Sequence, residues 1–328
     1  MTDDILQNVV KGFNGTILAY GQTGTGKTHT IVRDILPQTV SFFTKYIEKP
    51  NCNLYFSAAQ IYNEQISDLV DSLRELEIRN NKDCFYIDNL AEQEITNIND
   101  LNHFIDITEG NRKKGVTSLN EFSSRSHAIY TFKLVQREKH MTSILNLVDL
   151  AGSERTDKSK IKSEQKTESI SINKSLTALC RCIVFLKERK SHVPYRDSKL
   201  TKLLMNSISG NSKTCLIVTL SPSIDDYEET ISSLNFAQNA CKVKLNPKIN
   251  DKSRGANKEY LDSLAKELIE KDRIIAELRE ENYQLNQVNQ DYSENIGSKL
   301  TRPSDDKQNA GKRESQFVKE ERECVVNE

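Results

Sequence analysis

The stretch Gly21-Gln22-Thr23-Gly24-Thr25-Gly26-Lys27-Thr28 decides the fold, because it matches the phosphate-binding pattern G-x-x-x-x-G-K-[ST]. The apolar run 16–20 precedes it and predicts a buried strand, and a helical pattern follows it. In that context backbone N–H groups turn toward phosphates, the Lys27 ammonium meets the β and γ oxygens, and the Thr28 hydroxyl can ligate Mg²⁺. The pattern alone also arises by chance in long loops, but the flanking strand and helix argue against a plain loop. The sequence therefore predicts a site for a nucleoside triphosphate with Mg²⁺.

Two further segments follow this P-loop in chain order and carry residues that can sense a phosphate. They are Asn120-Glu121-Phe122-Ser123-Ser124-Arg125-Ser126-His127, termed switch I below, and Asp149-Leu150-Ala151-Gly152-Ser153-Glu154, termed switch II. They reproduce the signatures N-x-x-S-S-R-S-H and D-L-A-G-S-E without a substitution, and the chain resembles the kinesin motor domain over roughly residues 5 to 250. Shorter matches lie at 61–64, 172–176 and 192–201.

The resemblance implies a role for residues of all three segments, with ATP and Mg²⁺ as the cofactors. The phosphate cradle consists of Gly21, Gln22, Thr23, Gly24, Thr25, Gly26, Lys27, Thr28 and His29, and the metal ligands are Thr28, Ser124 and Asp149. The implied catalytic residues are Ser123, Arg125, Gly152 and Glu154. In this pattern the N–H of Gly152 donates to the γ-phosphate, and an Arg125–Glu154 pair closes the switches around the attacking water. Elsewhere the same two charges would be a surface pair worth at most about 1 kcal/mol.

Apolar runs alternate with helical patterns along the first 240 residues. Strands are predicted at 16–20, 53–61, 128–135, 144–150 and 214–221, and helices at 35–46, 169–188 and 225–240. The alternation predicts an α/β fold of the P-loop NTPase type, with a central, mostly parallel sheet covered by helices on both faces. In such sheets ligands bind beyond the carboxyl ends of the strands, where the P-loop and Asp149 both lie.

The chain changes character after residue 240, which divides it into four parts. We expect a motor (ATPase) domain at 1–240, a neck linker at 241–257, a coiled-coil neck at 258–290 and a disordered polar tail at 291–328. The neck prediction rests on the 3-4 spacing of Leu261, Leu264, Leu268, Ile275, Leu278 and Leu285, which Lys271 and Asn282 interrupt. This seam favours a homodimer or a higher oligomer. A single amphipathic helix that docks on the motor is the alternative.

Basic residues cluster locally, although the whole chain carries a net charge of −1. By resemblance the partner is the microtubule, whose acidic tubulin surface would meet these clusters in a salt-sensitive way. The expected contacts are Lys158, Lys160, His192, Tyr195, Arg196, Lys199 and Lys202. On composition alone, a solvated loop is the favoured interpretation of the segment 155–166. The net charge gives no sign of a nucleic-acid partner.

Composition indicates the cellular setting. Of the 328 residues 36% are hydrophobic, enough to fill a core in only part of the chain. Seven cysteines without a C-x-x-C pair indicate reduced thiols, and no apolar run approaches the ~20 residues of a membrane span. We therefore expect a cytoplasmic protein of the microtubule cytoskeleton, with the spindle included by resemblance.

Several positions depart from the family pattern. The chain begins within the helix before the P-loop strand, so we expect the usual first central strand and its arginine-proline segment to be missing. A fragment, a mis-started gene model or a degenerate motor would each explain this. The loop that interrupts the P-loop helix is almost absent between Thr30 and Pro37. Asp226, Asn239 and Cys241 replace an asparagine, an arginine and a lysine, which bears on linker docking more than on nucleotide binding.

Two functions from different classes remain open at this point. The first is a microtubule-stimulated ATPase motor with a C-terminal neck, as in plus-end-directed kinesins, and Asn246-Pro247-Lys248-Ile249-Asn250 resembles the bipolar mitotic (BimC-like) group. The second is a non-hydrolysing microtubule-binding or dimerisation module, or an inactive fragment of a kinesin. A small signalling GTPase fits poorly, because the chain lacks the base-specifying N-K-x-D pattern where such enzymes have it.

Overall fold

The computed structural model divides into two compact units, residues 1–256 and residues 257–328, and each is described by itself. The described residues are 2–47, 49, 51–81, 84–114, 124–154, 163–250, 271, 273–275 and 277–280, with the backbone alone for 113–114 and 163–172. In the second unit these residues are helical, and Arg273 and Glu277 form an exposed ion pair at 3.2 Å one turn apart. The rest of the predicted neck and the whole predicted tail lie outside the described residues.

The first unit is built around a central β-sheet. The strands are β1 (Gly15–Gly21), β2 (Cys52–Tyr62), β3 (Gln65–Asp68), β4 (Glu77–Asn81), β5 (Cys84–Asp88), β6 (Gln93–Ile95), β7 (His127–Gln136), β8 (Met141–Asp149) and β9 (Lys213–Thr219). Seven of them form one sheet in the order β3-β2-β7-β8-β1-β9, with β6 also paired to β2, while β4 and β5 form a separate hairpin. All five strands predicted from apolar runs are present within a few residues of their predicted bounds.

Helices cover both faces of this sheet, as predicted. They are α1 (Thr2–Val10), α2 (Leu36–Ile47), α3 (Ile98–Lys114), α4 (Ser163–Lys187), α5 (Lys199–Leu203), α6 (Met205–Ser209) and α7 (Tyr227–Ala240). Alternate residues of β1 point to opposite faces, so Ile17 joins a core with α1, α2 and α3, whereas Leu18 joins a core with α4 to α7. No helix in the described part of the chain is long and apolar enough to cross a membrane.

The α/β fold class is confirmed, but the sheet is mixed and not mostly parallel. Only β1 runs parallel to its neighbours, β8 and β9, and the other described ladders of the sheet are antiparallel. Short connections explain the antiparallel pairs β2–β3 and β7–β8, because parallel neighbours need a long crossover. Strands β2 and β3 are joined by Asn63 and Glu64, whose φ angles of 49° and 55° suit a tight two-residue hairpin turn. Continuous apolar runs therefore report burial on both faces and do not report strand direction.

A π-helical segment, His29–Ile35, connects the P-loop to α2 in place of a loop. The amide of Leu36 donates to the carbonyl of Ile31, five residues earlier. Pro37 follows directly and has no N–H to donate, so an α-helix would lose one backbone hydrogen bond at this point. The wider π-helical turn lies at the same place. The expected near-absence of an interrupting loop between Thr30 and Pro37 is thus what the structure shows.

Candidate functional site

The P-loop leaves the carboxyl end of β1 and enters the π-helical segment. Gly24 and Gly26 have φ angles of +80° and +99°, a conformation in which other residues are strained. Lys27 is only 5% exposed, and its Nζ donates to the carbonyl of Gln22 at 2.8 Å. Burial lowers the pKa of Lys27, and the carboxylates of Asp149 and Glu154 oppose that shift. The loop therefore surrounds one buried amine with backbone groups, an arrangement that suits a phosphate.

A cavity of about 230 Å³ opens over this loop. Residues that line it are Thr23, Gly24, Gly26, Lys27, Thr28, His29 and Ser124. Every one of them was predicted from the sequence as a nucleotide or metal contact. Hydroxyl groups, backbone amides and the Lys27 amine dominate the lining, so the cavity suits an anionic ligand.

Asp149 ends β8 and is fully buried beside the P-loop. Its Oδ2 accepts a hydrogen bond from the Thr28 hydroxyl at 2.7 Å and another from Arg112 Nη2 at 2.7 Å. Its Oδ1 is buried and has no hydrogen-bond partner among the described groups. A buried carboxylate oxygen without a partner is costly, and a hard divalent cation next to a threonine hydroxyl would satisfy it.

Arg112 of α3 is the positive partner of Asp149 and is 4% exposed. Its Nη1 also donates to the Tyr130 hydroxyl at 3.3 Å, and that hydroxyl in turn donates to the Glu109 carboxylate. Burial opposes the charge, but the acidic neighbours Tyr130, Asp149 and Glu109 leave the pKa of Arg112 raised overall. The guanidinium therefore holds the Asp149 carboxylate in place in the interior.

Switch II is packed directly against the P-loop. The Glu154 carboxylate accepts the Thr23 N–H at 2.8 Å and the Thr23 hydroxyl at 2.5 Å. The Ser153 N–H donates to the carbonyl of Gly21 at 3.0 Å, and the Gly152 N–H donates to the carbonyl of Ser124 in switch I at 2.8 Å. The two switches and the P-loop are thus joined by short bonds. The predicted Arg125–Glu154 pair stays a prediction, since the described contacts of Glu154 are those with Thr23.

The P-loop is also fastened to the carboxyl end of β9. The Thr25 hydroxyl lies 2.6 Å from that of Thr219, and Gln22 Nε2 donates to Asp226 Oδ1 at 2.7 Å. Asp226 accepts a further bond from the Ser221 hydroxyl at 2.6 Å. The bonds from Ser221 and Gln22 lower the pKa of Asp226. Although an asparagine was expected here by resemblance, aspartate serves as a double acceptor.

The linker segment 241–250 lies along the first unit and ends in a cluster of asparagines. The Asn250 N–H donates to the carbonyl of Gly12 at 2.8 Å, and its side chain bonds to Asn14 at 2.6 Å and to Asn211 at 2.7 Å. A Cβ added at Gly12 would lie 2.7 Å from Met141 Sδ and 3.0 Å from Ile249 Cγ2. The segment 241–250 therefore ends in specific hydrogen bonds to the first unit, although Asn239 and Cys241 differ from the family pattern.

The remaining predicted residues divide into described and undescribed ones. Ser123, Lys158 and Lys160 lie outside the described residues. Arg125 is half-buried, His192 and Arg196 are exposed, and Tyr195, Lys199 and Lys202 are half-buried. The last five share one surface stretch that follows α4 and includes α5. The structure therefore keeps this basic cluster together.

Sequence reasoning missed Arg112 and the asparagines that bond to Asn250, and it gave no role to His127, which ends the switch I motif. Their partners lie far away in the chain, since Arg112 and Asp149 are separated by 37 positions and Asn14 and Asn250 by 236. Local patterns carry no signal for such pairs. Asn250 belongs to the motif at 246–250 that resembles the BimC-like group. The change from the apolar Ile249 to the polar Asn250 was the one signal in the sequence for a hydrogen-bonded contact here.

Comparison with protein families agrees with the motifs. A family model described as the kinesin motor domain matches residues 1–243. Kinesin-like protein klp-20 of Caenorhabditis elegans is 40% identical over 270 residues, which cover 77% of this chain and 42% of the relative. Kinesin-like protein Klp68D of Drosophila melanogaster is 37% identical over 278 residues, which cover 79% of this chain and 35% of the relative. The chain thus spans less than half the length of these curated relatives.

Solved structures share the same architecture. A structure described as a fast kinesin superposes with a TM-score of 0.69 at 35% identity and covers 76% of each chain. A KIF14 segment, described as a dimer with AMP-PNP in complex with a microtubule, also gives a TM-score of 0.69, at 29% identity, over 79% of this chain and 80% of that chain. The fold derived from the P-loop and the two switches is therefore that of the matched family.

Proposed function

Because this chain belongs to the kinesin motor-domain family, we propose that it is a microtubule-stimulated ATPase that hydrolyses ATP at the P-loop. The family membership anticipated from the three motifs is confirmed, and the neighbour with AMP-PNP on a microtubule supports the choice of nucleotide and track. In this proposal hydrolysis is coupled to microtubule binding and to movement of the linker segment. The protein then acts on the microtubule cytoskeleton.

The buried Oδ1 of Asp149 is the observation that carries the proposal. It has no described hydrogen-bond partner, and Oδ2 of the same carboxylate already holds the Thr28 hydroxyl at 2.7 Å. A carboxylate oxygen and a threonine hydroxyl are ligands that Mg²⁺ accepts, Asp149 commonly through a water. Ser124, which lines the same cavity, is the proposed third ligand. The residues present therefore fit a magnesium nucleotide.

Bound Mg²⁺ would neutralise developing charge on the phosphates, as in other P-loop enzymes. The residues of this chain supply the other contacts with the phosphates and the attacking water. The Lys27 ammonium binds the β and γ oxygens, and the glycine-containing loop donates backbone N–H groups. Gly152 turns its N–H from the Ser124 carbonyl to the γ-phosphate, and Ser123 with Arg125 holds the attacking water. His29 lies at the rim of the cavity and completes the proposed nucleotide contacts.

Glu154 has two positions in this proposal. In the structure its carboxylate caps the Thr23 N–H and hydroxyl, so it blocks donors of the P-loop. We expect an incoming phosphate to compete for these donors, after which Glu154 pairs with Arg125 and closes the switches. Like charges of the carboxylate and the phosphate make simultaneous occupancy unfavourable. Phosphate release would return Glu154 to Thr23, which gives the site two states.

The basic cluster that follows α4 supplies the proposed microtubule contacts. His192 and Arg196 are exposed, and Arg181 of α4 holds the neighbouring Asp197 at 3.2 Å. Lys199, Lys202 and Tyr195 belong to the same stretch, and Lys158 and Lys160 complete the proposed set. Such charges steer an acidic partner and weaken with salt. The basic cluster is thus joined to α4 by the Arg181–Asp197 ion pair.

The linker and the neck provide the proposed mechanical output. The asparagine cluster at Asn14, Asn211 and Asn250 is the docking point of the linker. In the second unit, Ile275 and Leu278 of the predicted seam are exposed at 46% and 57%, and Ile274 outside the seam is also exposed at 46%. Division into motor (1–240), linker (241–257), neck (258–290) and tail (291–328), a homodimer or higher oligomer, and membership of the BimC-like group with spindle localisation remain predictions.

The first test is ATP turnover by the purified 328-residue chain at low salt, with and without polymerised tubulin. We expect a large tubulin-dependent increase, and loss of the increase in Glu154→Ala, by about 100-fold or more, since the switches can no longer close. Binding of a fluorescent ATP analogue should persist in that variant. Microtubule pelleting without turnover in the wild type would instead favour the non-hydrolysing binding module.

Linker docking is tested by Asn250→Ala, which removes the two side-chain bonds of Asn250. We expect microtubule gliding to slow several-fold while ATP turnover stays within about twofold, because the change lies far from the phosphates. Asn246→Ala, in the same segment, is the matched control. Equal gliding speeds for Asn250→Ala and the control would contradict a role for this docking point.

A further inference from the structure

His127 ends switch I and begins β7, and the mechanism proposed above leaves it without a role. It is 2% exposed. Its Nδ1 accepts the backbone N–H of Ala151 in switch II at 3.0 Å, and its Nε2 lies 2.8 Å from the hydroxyl of Ser175 in α4. One side chain thus joins switch I, switch II and a long helix.

These two contacts fix the protonation state of the ring. Because Nδ1 accepts a hydrogen bond, the proton of a neutral imidazole must reside on Nε2, which then donates to Ser175. Burial, with the nearby charges of Arg112 and Lys27, lowers the pKa of His127 to about 3. The ring is therefore neutral at physiological pH and keeps one orientation, with an acceptor toward switch II and a donor toward α4.

Both partners belong to elements that the mechanism moves or uses. Ala151 precedes Gly152, whose N–H is held by Ser124 and is expected to turn to the γ-phosphate. Ser175, also 2% exposed, precedes Leu176, which packs in the core beneath α4. Further along α4, Arg181 reaches Asp197 within the basic cluster. The imidazole therefore lies between the phosphate-sensing backbone and the helix that leads to the proposed microtubule surface.

We propose that His127 is a positioning residue that transmits movement of switch II to helix α4 through its two ring nitrogens. The proposal rests on the proposed motor function and adds a specific polar route to it. A shift of the Ala151 amide must either carry the ring, and with it the Ser175 hydroxyl, or break a buried hydrogen bond. An unsatisfied buried group is costly, so the linked movement is favoured.

Ser175→Ala tests this route in the full chain, because it leaves the His127–Ala151 bond in place. His127→Asn is its counterpart, since the amide oxygen can still accept from Ala151 while the side chain no longer reaches Ser175. Ser212→Ala is the matched control, as Ser212 is also 2% exposed and its hydroxyl bonds to Thr16 at 3.0 Å. The readout is the ratio of ATP turnover at saturating microtubules to turnover without them.

We expect this ratio to fall about three- to tenfold in Ser175→Ala and in His127→Asn, and no further in the double variant, because both remove one link. Thermal unfolding measures the structural loss separately. If Ser175→Ala and Ser212→Ala lose similar stability and both keep the wild-type ratio, the residues are merely structural and the proposal is overturned.

A second readout keeps the proposal testable if the wild type shows no stimulation and the motor function itself fails. Amide hydrogen exchange at 173–187 is measured with and without a non-hydrolysable ATP analogue and Mg²⁺. We expect the analogue to change exchange in the wild type and in Ser212→Ala, and to have little effect in Ser175→Ala. An α4 that does not respond in the wild type, or responds equally in all variants, would refute the link.

Discussion

Strands β8 and β9 flank the central strand β1 on its two sides, yet they hold the nucleotide site in different ways. Strand β8 is paired on both edges, and Leu145, Leu147, Val148 and Asp149 on it are fully buried. Strand β9 is paired only with β1 in the described part of the chain, most of its residues are half-buried, and a cavity of about 480 Å³ lies against it. The buried carboxylate of the site, Asp149, therefore lies on the β8 side of β1.

The two sides also differ in their bonds to the P-loop. On the β8 side, the carboxylate of Asp149 is fixed by Arg112 in the interior. On the β9 side, Thr219 and Asp226 hold the P-loop through hydrogen bonds near solvent. Packing and a buried ion pair tolerate little change, whereas solvent can replace an exposed hydrogen bond. We therefore expect substitutions on the β8 side to cost more.

Arg112→Ala should give the largest effect. It leaves the buried carboxylate of Asp149 without its ion partner, so unfolding in urea should show a loss of about 3–5 kcal/mol. Arg79→Ala is the control, since Arg79 pairs with Asp88 at 3.0 Å on the surface and should cost no more than about 1 kcal/mol. Similar losses of unfolding free energy in both variants would show that the buried ion pair contributes no more than the surface pair.

A matched pair of leucines compares the strands themselves. Leu147→Ala on β8 removes a fully buried side chain and should cost about 2–5 kcal/mol, because the surroundings cannot fill the space. Leu216→Ala on β9 should cost about 1 kcal/mol, since that side chain is half-buried and already borders the larger cavity. Chemical unfolding of both variants measures the difference. A costlier change at Leu216 would reverse the comparison.

Asp226→Asn should have the smallest effect, visible only as pH dependence. Hydrogen bonds from Ser221 and Gln22 lower the pKa of Asp226, so its contribution to stability is present above the unfolded-state pKa and is lost as pH falls through the folded-state value. Between about pH 5 and pH 3, the wild type should therefore lose stability more steeply than Asp226→Asn. Asp225→Asn removes the same charge one residue away and is the matched control. An unchanged slope in Asp226→Asn would contradict the assignment.

The sequence predicted what depends on local pattern and missed what depends on distant partners. The P-loop and the five apolar strands follow from short stretches whose spacing has a direct physical meaning, whereas Asp149 and Gly152 were assigned from the resemblance to the family. The direction of β2 could not be predicted, because a strand buried on both faces has the same apolar run in either direction. Arg112 and Ser175 could not be assigned either, since only the fold brings them to Asp149 and His127.

The contact of Asn250 with Gly12 depends on a position that has no side chain. Gly12 receives Asn250 through its carbonyl, and the space beside its α-carbon is already occupied by Met141 and Ile249. Its φ angle of +94° adds to the strain that any side chain would meet. Even an alanine there would therefore strain the backbone and displace the ends of the Met141 and Ile249 side chains, which loosens the seat of Asn250.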